Sequence, residues 1–176
     1  MAQPQFPPVG NRYIIQHKLG EGGMGIVFKG EDRKSGRDVA IKVLKPQAIS
    51  DHPERLERFR REAEALREID HPNIVKILDT LQERNLYYII MEYMEVGSLR
   101  GLLNKLKWMS LPRALNMSLD LSDALVRTHR LKIIHRDIKP SNVLLDDDGT
   151  PHLTDFGAAH FSDASVLTEP GAIIGT

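Results

Sequence analysis

The chain has 176 residues, and its 24 Lys and Arg are balanced by 24 Asp and Glu, so its formal net charge at pH 7 is zero. Interspersed, balanced charge offers no basic face, and neither nucleic acid nor an anionic membrane surface is expected as a partner. There is no cysteine, which excludes disulfides, thiol nucleophiles and thiolate zinc sites, while a 41% hydrophobic share suffices for the core of one domain or two small lobes.

Residues 1–11 are rich in proline and polar side chains and read as a disordered leader without the charged-then-apolar pattern of a secretory signal. No apolar run approaches the length of a membrane span, so a cytoplasmic protein without a membrane segment is expected. Tyr13-Ile14-Ile15 opens a strand running toward Leu19, and Ile26-Val27-Phe28-Lys29 is a second. Gly20, Gly22 and Gly25 lie between them with Glu21, Gly23 and Met24. A backbone without Cβ can bring its N–H groups close to phosphate oxygens, although such glycines alone are equally a hairpin turn. A dinucleotide fingerprint would need a helix after Gly25, where the pattern is strand. After a turn at Arg33-Lys34-Ser35-Gly36, Val39-Ala40-Ile41-Lys42-Val43 forms a third strand carrying Lys42 among apolar neighbours.

The period then changes. Leu56, Phe59, Ala63, Leu66 and Ile69 recur at helical spacing over 51–69, with Asp51 and Pro53 placed as start signals. The charged side of this helix reads as a solvated surface. Ile74–Leu78 and Leu86–Met91 are a fourth and a fifth strand, joined by a polar turn around Glu83-Arg84-Asn85. A linker over 92–97 follows. Ser98–Leu106 is a short helix, and a longer one runs from about Ser110 to His129 with Leu115, Leu121 and Leu125 as its core stripe. His135-Arg136-Asp137-Ile138-Lys139-Pro140-Ser141-Asn142 then sets a carboxylate, cations and an amide within one short loop. Val143-Leu144-Leu145 reads as a strand. Asp146-Asp147-Asp148-Gly149 is a hairpin turn, since it lacks the alternating ligands and the terminal glutamate of a calcium loop. Asp155-Phe156-Gly157 closes the pattern.

Taken in order, the glycine loop, Val39–Lys42, the His-Arg-Asp loop and Asp-Phe-Gly resemble a protein kinase, with a wording similar to bacterial serine/threonine members of the family. The resemblance implies an α+β, bilobal fold. Residues 12–91 would be a five-stranded N-lobe with one main helix, 92–97 the hinge, and 98–176 a partial, mainly helical C-lobe ending in the activation segment. It implies ATP and Mg2+ as cofactors and protein Ser/Thr hydroxyls as acceptors. Asp137 would take the acceptor proton, Lys139 would stabilise the moving phosphate, and Asn142 and Asp155 would ligate Mg2+. Nucleotide would be held by Leu19, Gly20, Glu21, Gly22, Gly23, Met24, Gly25, Ile26, Val27, Ala40, Lys42, Met91, Glu92, Met94 and Leu144. Glu62 would pair with Lys42; alignment to the family, not periodicity, chooses it over Glu64. His135 and Phe156 would pack, Arg136 would meet an activation-segment phosphate, and Thr168, ahead of Ser162 and Ser165, would be autophosphorylated. Lys139 favours serine/threonine over tyrosine specificity. The pattern stops at Gly175-Thr176, within the activation segment, so a fragment with little activity of its own is expected. The alternative is a catalytically silent nucleotide-binding or partner-binding chain, and an aminoglycoside-type small-molecule kinase fits the motif wording less well.

Overall fold

The computed structural model describes residues 8–22, 25–44, 63–64, 66–156 and the backbone of 160–161. It divides into two compact units, Met1–Glu68 with Lys76–Tyr93, and Ile69–Val75 with Met94–Thr176. The chain passes between them after Glu68, after Val75 and after Tyr93; the last lies inside the linker read from the sequence, while residues 69–75, read as part of the N-lobe, fall in the second unit.

The first unit is a five-stranded antiparallel sheet in the order β1-β2-β3-β5-β4. Its strands are β1 (Tyr13–Glu21), β2 (Gly25–Asp32), β3 (Arg37–Leu44), β4 (Ile77–Glu83) and β5 (Leu86–Glu92). One sheet face carries Tyr13, Ile15, Val39, Ile41, Tyr88 and Ile90, which bury one another as the core. Alternation of side chains along each strand puts β-branched and aromatic residues on that face and leaves the even-numbered residues of β3 on the other. The hairpin between β4 and β5 turns on Arg84 and Asn85 alone, both with positive φ, 52° and 60°. Two left-handed residues in succession match the right-handed twist of the flanking strands. Of the helix expected over 51–69, residues 63–64 and 66–67 are helical, and Ala63, Leu66 and Ile69 are buried as the expected face requires. Leu56 and Phe59 lie outside the described residues.

Three sequence expectations need correction. The leader does not extend to residue 11: Val9 is buried in the sheet core and exchanges backbone hydrogen bonds with Tyr13, and the Gly10 N–H donates to Glu83. The fourth strand starts at Ile77, not Ile74. Ile74 instead forms a parallel bridge with Leu153 in the second unit. An apolar run with β-branched residues looks the same whichever sheet takes it up.

In the second unit, β6 (Gly97–Ser98) leads into α1 (Leu99–Leu106), and α2 (Leu111–Arg130) follows. Ser98 caps α1 by accepting from the Gly101 N–H at 3.2 Å. Pro112 sits in the first turn of α2, where a missing N–H costs nothing. The third correction concerns this helix. Its buried residues are Met117, Ala124 and Thr128. Leu121 and Leu125 are half-buried beside them, but Leu115 is 54% exposed. Six residues are about 1.7 turns, so Leu115 points away from the side that Leu121 and Leu125 share with the buried residues. The helix is followed by β7 (Ile133–Ile134), a 3-10 turn (Pro140–Asn142), β8 (Val143–Leu145), β9 (Pro151–Leu153) and β10 (His160–Phe161). Strands β6, β8 and β9 form a three-stranded sheet, and β7 pairs with β10. The turn between β8 and β9 is the expected hairpin. Asp146 accepts from the Asp148 and Thr150 N–H groups, and Gly149 takes the positive φ of 80°. The pair of units, one built on an antiparallel sheet and one mainly helical, is the α+β arrangement that the motif order implied.

Candidate functional site

In the first unit, the Gly22 N–H donates to the Gly25 carbonyl at 2.9 Å and closes the β1–β2 hairpin. Gly23 and Met24 lie outside the described residues. The glycines have different surroundings. A Cβ on Gly25 would collide with the Val43 carbonyl, so this glycine permits the close approach of β2 to β3. Among the described residues, no heavy atom lies within 4 Å of a Cβ built on Gly20 or Gly22. Those two positions leave open space of the kind a phosphate group needs. Leu19 and Glu21 are exposed, while Ile26 and Val27 are half-buried.

The register of the sheet then gathers further residues. Val27 lies opposite Lys42, Ala40 lies opposite both Lys29 and Met91, and Lys42 lies opposite Ile89. Directly opposed residues of antiparallel strands share a face. Val27, Ala40, Lys42 and Met91 therefore stand together on the sheet face away from the Ile41–Ile90 core. Lys42 is only 8% exposed. That burial, beside Val27, Ala40 and Met91, sets it apart from an ordinary surface lysine. Glu92 ends β5, with its N–H donating to the Lys76 carbonyl at 3.1 Å. The sequence reading missed Lys29. Its Nζ lies 2.7 Å from Asp38 and 4.5 Å from the centroid of the Tyr93 ring, next to the linker. No motif marks that pairing; only the β2–β3 register could have suggested it. Glu62, read as the partner of Lys42, lies outside the described residues.

In the second unit, the loop after β7 brings Asp137, Lys139 and Asn142 together. Lys139 Nζ is 2.9 Å from Asp137 Oδ2. The Asn142 amide nitrogen donates to the Asp137 carbonyl at 2.9 Å and to its Oδ2 at 3.0 Å. The 3-10 turn that begins at Pro140 folds the loop back far enough for this, with the Asn142 N–H on the Lys139 carbonyl. With its nitrogen turned to Asp137, the amide presents oxygen as its other end. The Asn142 carbonyl in turn accepts from the Thr154 N–H at 3.0 Å, which places Asp155 one residue from the loop. Asp155 has φ 63° and Arg136 φ 63°, both in the left-handed region. For the bulky Arg136 this conformation is uphill and is held by the surrounding bonds.

His135 does more than pack. It is buried, its Nε2 lies 2.9 Å from the Thr154 carbonyl, and its Nδ1 receives the Asp137 N–H at 3.3 Å. That pattern requires the Nε2–H tautomer, since a carbonyl only accepts and an N–H only donates. The ring also lies 4.5 Å from that of Phe156. One imidazole thus ties Asp137 to the segment carrying Asp155. Leu144 is half-buried on β8 between the buried Val143 and Leu145, and Met94 is half-buried where the chain re-enters the second unit. The structure therefore assembles Val27, Ala40, Lys42 and Met91 in one unit and Asp137, Lys139, Asn142 and Asp155 in the other. Gly157, Ser162, Ser165 and Thr168 lie outside the described residues.

Comparison with known proteins bears on the same residues. The protein kinase domain model matches residues 13–172. The chain is 38% identical over 168 residues to the serine/threonine-protein kinase PrkC of Bacillus subtilis, covering 96% of this chain and 26% of that protein. It is 38% identical over 170 residues to the serine/threonine-protein kinase PknA of Mycobacterium tuberculosis, covering 94% of this chain and 39% of that one. A Clostridium perfringens protein named as a probable serine/threonine-protein kinase is 35% identical over 168 residues, covering 96% of this chain and 24% of its own length. The chain thus spans between about a quarter and two fifths of the length of these relatives. With the family model running from β1 past the Asp155 segment, the chain belongs to the protein kinase domain family.

Proposed function

We propose that the chain carries the nucleotide-handling and phosphoryl-transfer residues of a serine/threonine protein kinase, which moves the γ-phosphate of ATP to Ser or Thr hydroxyls of proteins. The observation that carries this reading is the Asp137 cluster, with Lys139 at 2.9 Å and Asn142 at 3.0 Å from one carboxylate oxygen. In this reading the acceptor oxygen attacks the γ-phosphorus and its proton passes to Asp137, while the bond to the β–γ bridging oxygen breaks and ADP leaves. Lys139, already beside Asp137, offers a compact cation to the phosphoryl oxygens. In the first unit, Lys42 meets the α- and β-phosphates, the backbone around Gly20 and Gly22 approaches them closely, and Val27, Ala40 and Met91 form an apolar bed for the adenine. By resemblance, Leu19, Glu21, Gly23, Met24, Ile26, Glu62 and Glu92 in the first unit, and Met94 and Leu144 in the second, are assigned to nucleotide binding.

Asn142 and Asp155 offer an amide oxygen and a carboxylate, hard donors that suit Mg2+, which takes few protein ligands and fills its shell with phosphate and water. Bound there, Mg2+ would neutralise phosphate charge. The chain's own part is to hold Asn142 by its nitrogen, which leaves the amide oxygen as the end to offer a metal, and to hold Thr154 by both backbone groups, so that Asp155 stays in register. Autophosphorylation at Thr168 and a cytoplasmic location belong to the same proposal; no helix among the described residues is long and apolar enough to cross a membrane.

The test is transfer of labelled γ-phosphate to a basic protein by the full chain and by Asp137→Asn. The expected result is low turnover by the chain itself, lost by a further factor of about 10²–10⁴ in the variant, with nucleotide binding kept in both. Equal turnover in both chains refutes the assignment of Asp137. Nucleotide binding without transfer in either chain replaces this reading with that of a silent nucleotide-binding protein.

A further inference from the structure

Asn73 has no place in the site described above, yet it is 6% exposed and is bonded through its side chain, its N–H and its carbonyl. Its amide nitrogen donates to the Pro151 carbonyl at 3.0 Å. Its own carbonyl accepts from the Leu153 N–H at 2.8 Å, and two residues on, the Val75 N–H donates to the Leu153 carbonyl at 2.9 Å. Its N–H donates to His71 Nδ1 at 3.1 Å, so His71 carries its proton on Nε2, which lies 3.1 Å from Asp123 on α2.

Strand β9 therefore has partners on both edges. On one edge Val143 and Leu145 of β8 pair with Leu153 and Pro151. On the other, Asn73, Ile74 and Val75 take the backbone groups of Leu153 and the Pro151 carbonyl. A strand of three residues with a single paired edge is short enough to fray. Asp155 follows two residues after Leu153 and keeps a left-handed φ of 63°. The Thr154 bonds to Asn142 and His135 hold it from one side, and β9 carries it on the other.

We propose that Asn73 is a positioning residue for Asp155. Its side chain fixes the start of β9 at Pro151 and its backbone carbonyl the end at Leu153, both from the second edge of the strand, and His71 anchors it to α2. This goes beyond the proposed function and rests on it in one respect, the reading of Asp155 as a Mg2+ ligand. The bland alternative is that Asn73 merely satisfies the buried Pro151 carbonyl. In that case its loss lowers stability and leaves metal binding alone.

The experiment follows binding of a fluorescent ATP analogue by the full chain, in EDTA and across a Mg2+ titration, at a temperature well below the unfolding of every variant. In the unsubstituted chain Mg2+ tightens binding, and in Asp155→Asn it does not. Asn73→Ala is expected to keep the EDTA affinity within about twofold and to raise the half-saturating Mg2+ concentration about tenfold. Faster amide exchange over 151–155 should accompany that change. Unchanged Mg2+ half-saturation in Asn73→Ala, beside a lost response in Asp155→Asn, overturns the positioning role alone. No Mg2+ response in the unsubstituted chain overturns the nucleotide reading and the positioning role with it. Should Asn73→Ala not fold, Asn73→Ser keeps the backbone bonds but cannot reach Pro151, and it is read by the same criteria.

Discussion

Replacing Asp32 with asparagine perturbs the charge network that fastens the start of β1 to the end of β2. The Asp32 carboxylate is buried and receives Arg12 Nε and Nη2 at 2.7 Å each, the Ser35 hydroxyl at 2.8 Å and the Lys34 N–H at 3.0 Å. The Arg12 bond above all, then those from Ser35 and Lys34, hold its carboxyl well below the usual carboxylate range despite the opposing effect of burial. An amide has nearly the same shape but no charge, and it turns an NH2 group toward donors. The Ser35 and Lys34 bonds are worth about 1 kcal/mol each, and the Arg12 side chain, 41% exposed, recovers water when the pair is broken. The expected loss is about 2 kcal/mol at neutral pH, or about 4–8 °C in Tm for a chain of this size. The folded-state pKa lies below the unfolded value of about 3.9, so folding favours the ionised form. That contribution is complete above about pH 4 and disappears as the pH falls through the folded value. Urea unfolding followed by circular dichroism from pH 7 to pH 3 should therefore show a gap between the two chains that is widest at neutral pH and narrows under acid. A gap of constant size, or none at pH 7, refutes the reasoning.

Two further predictions concern the first unit. Gly25→Ala sets a methyl against the Val43 carbonyl and should cost about 1–3 kcal/mol in urea unfolding. Gly22→Ala, with open space around it among the described residues, should stay within about 0.5 kcal/mol while weakening ATP-analogue binding. Equal stability of the two variants counts against the division of roles within the glycine motif. Burial first, and then its hydrogen bond to Asp79, push the Tyr13 hydroxyl up to about 12. Its raised folded-state pKa means that stability is full below about pH 10 and falls as the pH rises toward the folded value. Tyr13→Phe should flatten that alkaline decline measured by thermal melts, leaving the slope contributed by Tyr88, which burial also raises. An unchanged decline would show that Tyr13 is not its source.

Much of the site was legible in the sequence because its parts are local. Asp137, Lys139 and Asn142 fall within a single loop, and Pro140 folds that loop so that one carboxylate collects both partners. The hairpin at Asp146–Gly149 was equally readable, since the Asp146 side chain bonds to backbone only a few residues away. Strand alternation alone puts Ala40 and Lys42 on one face, because they are two residues apart. What stayed hidden depends on contacts made far along the chain. Ile74 has the composition of a strand residue, and nothing nearby says that its bridge is to Leu153. Leu115 lies six residues before Leu121, off the face that Leu121 shares with Leu125, and is exposed on α2.

The sequence by itself determined the family, the order of the elements and the chemical inventory: a glycine hairpin, a strand lysine, a carboxylate–lysine–asparagine loop and a second carboxylate. Periodicity and motif spacing are short-range properties, and they suffice for that. Only the tertiary structure decided that Val9 belongs to a core, that His135 joins Asp137 to the Thr154 backbone, and that Asn73 closes the open edge of β9. Each of these depends on backbone groups meeting side chains that are distant in the chain. A buried N–H or carbonyl must find a partner somewhere, and its identity is set by the folded path of the chain.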